Sequence, residues 1–163
     1  MPEQNERTTI MTGQGTLSGP RNDEATVSRL QYGALVATVI IVGVVGAWSY
    51  FWPLEFYDHF PVVLGEWVSG DGPYNEHLVR DHGAMYLAAG AATAFAMVRP
   101  TRVACQLVGI AWTVFGILHF SYHVTHLGHL STSEAIGQIV VLAVAVLLAL
   151  AMLIPAPRRR TSR

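Results

Sequence analysis

The chain is predicted to be an all-α, four-helix transmembrane bundle with both termini cytoplasmic, and three observations predict it. The first is composition: 52% of the 163 residues are hydrophobic and only 13% are charged, about half the charge of an average soluble domain. The second is run length. Four apolar stretches, 32–52, 78–98, 103–122 and 135–154, each approach the roughly 20 residues that a helix needs to cross a hydrocarbon core about 30 Å thick. The third is charge placement. All ten basic residues are arginine, and nine of them (Arg7, Arg21, Arg29, Arg99, Arg102, Arg158, Arg159, Arg160 and Arg163) fall on one side of this arrangement. The connections 53–75 and 127–133 contain none. By the positive-inside rule those two connections face outward.

Residues 1–28 are rich in Glu, Asn, Thr, Ser and Gly without apolar periodicity, and are expected to form a disordered cytoplasmic tail. The tail is too long and acidic for a signal-peptide n-region, and no small-residue cleavage pattern follows the first apolar run, so that run reads as a retained anchor. The membrane domain is expected over 29–156, followed by a basic cytoplasmic tail at 157–163.

The first span carries Gly33, Gly43 and Gly46, which permit close helix contact, and ends in Trp48, Tyr50, Phe51 and Trp52, suited to the outer interface. The connection after it is long and acidic, with Glu55, Asp58, Glu66, Asp71 and Glu76; connections of this length are usually functional. Its middle, FPVVLGEWV, is apolar enough for a short interfacial helix, and His59 and Trp67 make the segment a candidate lid.

The second helix is expected to begin near residues 74–76, after Gly72-Pro73, with Ala88 to Ala96 as a small-residue packing surface. The return through Arg99-Pro100-Thr101-Arg102 is short, which makes the second and third spans antiparallel neighbours. Cys105 is the single cysteine, so no intrachain disulfide can form, and it reads as a small buried apolar residue. Ser131 to Glu134 look like a cap for the last span, which carries one buried amide, Gln138, and stops at Pro155 and Pro157.

The most unusual stretch is Ile117 to Leu130, ILHFSYHVTHLGHL. Offsets of 4 and 7 return to nearly the same angle on a helix, so His119, His123 and His126 are expected on one face. His82 is 17 positions from Arg99 and His119 is 17 from Arg102, which levels both about 25 Å from the inner boundary. The same count levels His77 with His123, Glu76 and Glu134 with His126, and Gln138 with His123. All seven histidines therefore fall on the outer side.

Four readings of this cluster compete. It can be an interfacial polar network with a Glu76/Arg80 pair. It can be a metal site in which His77, Asp81, His119, His123 and His126 are ligands, with Glu76, His82 and Glu134 orienting them. It can hold b-type haem between His82 and His119, or between His77 and His123. It can relay protons through Asp81 and the histidines. Depth favours a functional site, because ionisable groups inside the hydrocarbon boundary are costly and usually mark one. For a metal, imidazoles with one or two carboxylates suit Zn, Cu(II) or Fe, whereas the absence of nearby Cys weakens Cu(I) trafficking. Met85 could be a soft axial ligand but reads first as packing. The H-x3-H-x2-H spacing is similar to the histidine boxes of membrane di-iron hydroxylases and desaturases, whose further boxes are absent here.

At PYNEHLVRDHGAMYLA and HFSYHVTHLGHLSTSEAIGQ, and more loosely from Phe56 to Pro155, the chain resembles small four-span membrane proteins of high-GC bacteria of the DoxX-like kind. The resemblance implies a four-helix fold in a bacterial plasma membrane. DoxX-like proteins are associated with respiratory or redox complexes, but no motif here carries that role across. The expected function is that of a metal-binding integral membrane protein supporting redox or metal-assisted chemistry. The alternatives are a haem-bearing electron-transfer subunit and a non-catalytic accessory subunit that docks a membrane-complex partner or a second copy. A transporter is disfavoured because no span is interrupted by Pro or charged at its midplane. The terminal RRRTSR run reads as a topology anchor that touches anionic lipid rather than as a nucleic-acid site.

Overall fold

The computed structural model describes residues 27–154; the expected tails, with Pro155, Pro157 and the terminal arginines, lie outside the described residues, apart from the cap at Ser28. Regular structure among the described residues is entirely helical: α1 (Arg29–Phe51), α2 (Pro53–His59), a 3₁₀ turn (Ser69–Asp71), α3 (Glu76–Val98), α4 (Arg102–Thr125) and α5 (Thr132–Leu153).

Each long helix starts where a side chain can take up its orphan amides. Ser28 and Gln31 form a capping box on α1, Asn75 accepts from Leu78 N on α3, and Thr101 accepts from Ala104 N on α4. On α5 the expected cap is present as a box between Ser131 and Glu134. The short helix between α1 and α3 falls earlier than expected. Pro53 at its first turn suits a helix start, whereas Pro61 and Gly65 break the FPVVLGEWV segment, which runs irregularly.

Helices α1, α4 and α5 are long and apolar enough to cross a membrane. At 23 residues α3 is equally long. Its first turns, however, carry Glu76, His77, Arg80, Asp81 and His82, and the remainder is mostly Ala and Gly, whose small side chains dilute hydropathy. By composition, three helices rather than four are span-competent.

The helices associate as two close pairs, α1 with α3 and α4 with α5, joined mainly where α1 meets α5. The α1/α3 contact is backbone to backbone. A Cβ on Gly83 would stand 2.6 Å from Tyr50 N and 2.8 Å from Gly46 O, and one on Gly46 would stand 3.1 Å from Leu87 N. Such approach is the use of small residues in membrane helix packing. Arg80 donates to its own-turn neighbour Glu76 at 2.8 Å and to the Tyr50 carbonyl, covering the end of α1.

The two ends of the bundle differ. Toward the end that carries Arg29, Arg99 and Arg102, Leu35, Ala34, Ala96, Cys105, Val108 and Met152 form a closed apolar cluster. Gln31, 2% exposed, spans it by donating from Nε2 to Met152 O at 3.0 Å. Cys105 is buried in this cluster, as its apolar reading expects. The opposite, histidine end is hollow.

A candidate ligand cavity at the histidine end

The cavity arises because large aromatic side chains hold α3 and α4 apart. Tyr86 of α3 meets Trp112 and Phe115 of α4 edge-on, with ring centroids 5.8 and 5.6 Å away. Trp112 Nε1 donates to Thr93 Oγ1 at 2.8 Å, which fixes the indole and satisfies its one donor. Beyond these rings, toward the histidine end, a space of about 300 Å³ opens between α1, α3, α4 and α5. That volume is at the small end for a ligand pocket.

The segment between α1 and α3 closes the top. Phe56 and Trp67 are 4% and 5% exposed and line the space with Phe60. Two glycines let this cover settle on α5 and on the connection between α4 and α5: a Cβ on Gly65 would collide with the Glu134 carboxylate, and one on Gly70 with the His129 ring. Asp71 then lies between two imidazoles, 4.0 Å from His123 Nδ1 and 3.7 Å from His129 Nε2. The 4.0 Å separation is an ion-pair distance, too long for a hydrogen bond. Trp67 thus forms part of a lid, whereas His59 faces away and pairs with Glu55 at 3.6 Å.

The wall is mainly apolar, with a few polar groups facing in: Asp71, His82, Tyr86, His119, His123 and Gln138. Three buried atoms among them, His82 Nδ1, His123 Nδ1 and Gln138 Oε1, have no hydrogen-bond partner among the described residues. Buried polar groups are normally satisfied, and an orphan costs about 1–3 kcal/mol. All three belong to side chains that line the cavity, with the orphaned atoms themselves lying just beneath its surface.

The expected site is therefore divided. The levelling of His82 with His119, and of Gln138 with His123, agrees with their sharing one cavity. His77 and Asp81 stand outside it: they pair with each other at 3.3 Å with side chains 86% and 63% exposed. The rotation of α3 explains this, because docking Gly83 on α1 turns Val79, His82 and Tyr86 inward, about 100–160° around the axis from Asp81. His126 also leaves the expected face. Helix α4 ends at Thr125, and the His126 ring folds back to stack on Tyr122 at 4.1 Å, with Nδ1 2.8 Å from Tyr122 O. Glu76 is taken up by Arg80, as the polar-network reading expects, and Glu134 by the α5 cap, where it accepts from Ser131 N at 2.7 Å. Met85 is half exposed.

Asp71 and Tyr86 line the cavity and were missed as site residues. Asp71 reaches the wall, and His129 beside it, only when the lid folds over, and the available signal was the Gly70-Asp71-Gly72 turn in an over-long connection. Among the described residues, no three His, Cys, Asp or Glu side chains converge closely enough to hold a metal ion. Comparison with protein-family models, curated proteins and solved structures finds no match to this chain.

Proposed function

We propose that this protein is a four-span integral membrane protein, with both termini on the cytoplasmic side of a bacterial plasma membrane, that binds a small lipid-soluble molecule in the cavity at its outer end. The membrane class rests on α1, α4 and α5, and the fourth span is α3, which packs along α1. The observation that carries the binding reading is the set of three orphaned atoms on an otherwise apolar wall. An apolar pocket with a few convergent polar groups is the usual form of a small-molecule site. A small rotation of these side chains toward a bound ligand would let it satisfy atoms that the protein leaves unpaired.

The test is to purify the untagged protein from its native membrane, extract it with solvent, and compare the extract by mass spectrometry with that of Gln138→Leu and His123→Ala. A stoichiometric species present in the wild type and depleted in both variants is the expected result. Identical extracts would overturn the reading.

A second reading keeps the imidazoles as ligands. His119 and His123 are one turn apart with ring centroids 4.6 Å apart, and Asp71 is beside His123. A Zn, Cu or Fe ion there would require these side chains to draw inward. The haem alternative has His82 and His119 facing one space, though a macrocycle needs more room than about 300 Å³ with the lid closed. Metal analysis and a visible spectrum of the same preparation, beside a His119→Ala, His123→Ala double variant, separate these outcomes. A stoichiometric ion lost in the variant supports the metal reading, and a Soret band the haem one.

A further inference from the structure

A second, narrower space of about 80 Å³ continues from the ligand cavity toward the arginine end, and the two share Ile41, Tyr86, His119, Leu142 and Ala145 as common wall. Its own walls come from α1, α4 and α5 and include Thr38, Trp112, Phe115 and Leu148. From His119 to Trp112 is seven residues of helix, so the extension runs about 10 Å. A space of about 80 Å³ over that length is narrow enough to take a single alkyl chain leading away from the polar groups.

The charges around the wider part restrict the head. Among the described residues, no arginine lines either space. Arg80, the one arginine on the histidine side among the described residues, is engaged by Glu76 and the Tyr50 carbonyl. The carboxylate of Asp71 lies on the wall, so a phosphate or carboxylate would meet a like charge. Gln138, 2% exposed and so more than nine-tenths buried, lines the wider space and carries an unpartnered amide oxygen just beneath its surface. A hydroxyl both donates and accepts, and so matches the amide in either orientation and the imidazoles in either tautomer.

We propose that the occupant is a neutral single-chain amphiphile, a long-chain alcohol in chemical class, with its hydroxyl among His82, His123 and Gln138 and its chain in the channel between α1, α4 and α5. This rests on the ligand-cavity reading above and adds the class of ligand and the path of its tail.

The test uses full-length protein in phosphatidylcholine vesicles and two photoreactive C16 alcohols, one with a diazirine near the hydroxyl and one with it at mid-chain. After photolysis, labelled residues are mapped by mass spectrometry, with unlabelled hexadecanol as competitor. The mid-chain probe is expected to label Trp112, Phe115 or Leu148 saturably, at least tenfold above the lipid-facing Val114 and Leu118. The matching C16 phosphate should compete at least tenfold less well than hexadecanol at equal membrane mole fraction. Ala145→Phe, which plugs the neck, should abolish mid-chain labelling of Trp112 while leaving head-proximal labelling around Phe60 and Val68. Saturable head-proximal labelling with mid-chain label only on lipid-facing residues would overturn the tail path and leave the cavity reading standing. Equal competition by the phosphate would overturn the neutral head. Saturable labelling by neither probe would overturn both proposals.

Discussion

Leucine at position 138 would keep most of the side-chain volume of a residue 2% exposed while removing an amide oxygen that has no partner. Deleting an unpaired buried acceptor stabilises the ligand-free protein, by about 1–2 kcal/mol. Gln138→Leu is therefore expected to raise the midpoint of thermal unfolding in detergent while losing ligand, the opposing effects that mark a binding residue. A lower midpoint would show that the amide is structural. At the lid, Gly65 has φ 104° and faces the Glu134 carboxylate, so Gly65→Ala is strained by both backbone and space. The expected outcome is faster amide hydrogen exchange across residues 60–72, with α3 and α4 unchanged. Sequence made His82 and His119, and Gln138 and His123, legible as two levelled pairs of polar groups, because helical rise is the same in every long helix. It did not reveal which way His77 and Asp81 point. Helix rotation depends on the contact of Gly83 with another helix, and no local pattern encodes that.

At the scale of elements, the crossing of α1 and α3 is the least tolerant contact. Gly83→Val places branched carbon where Tyr50 N, Ser49 Oγ and Gly46 O already stand within 2.8 Å of a Cβ. Overpacking of this kind costs about 1–3 kcal/mol, so the unfolding midpoint should fall. Gly33, with nothing within 4 Å of its Cβ position, serves as the contrast, and Gly33→Ala should be neutral or mildly stabilising. If both variants behave alike, the close crossing is not formed in the membrane. The helices themselves were readable from apolar run length, and the start of α5 also from its cap at Ser131; the caps at Ser28, Asn75 and Thr101 came only with the structure. The end of α4 was less readable. His126 continues the helical spacing on paper, yet its ring nitrogen meets the Tyr122 carbonyl instead, and the chain turns out of the helix.

For the whole molecule, the proposed topology has α3 crossing the membrane although its composition is more polar than that of the other three long helices. In a Cys105→Ala background, Val63→Cys and Gly128→Cys are expected to react with a membrane-impermeant maleimide added to intact cells. Pro100→Cys should react only after the cells are opened. Val63 is 84% exposed and Gly128 has open space around it, so protection of either would reflect topology rather than burial. External labelling at Pro100 would show that α3 does not cross in the proposed sense. The small residues that suit α3 to packing on α1 also lower its hydropathy, so the labelling pattern rather than composition decides whether it spans.

The pairing of α1 with α3 and of α4 with α5 divides the chain near Pro100 into two consecutive halves, each containing its own closest helix contact. During synthesis the first half can complete its backbone-to-backbone docking, and seat Arg80 on the end of α1, before the second half has left the ribosome. Assembly then reduces to joining two finished hairpins. The cavity is the seam between them, the last part of the molecule to acquire a shape.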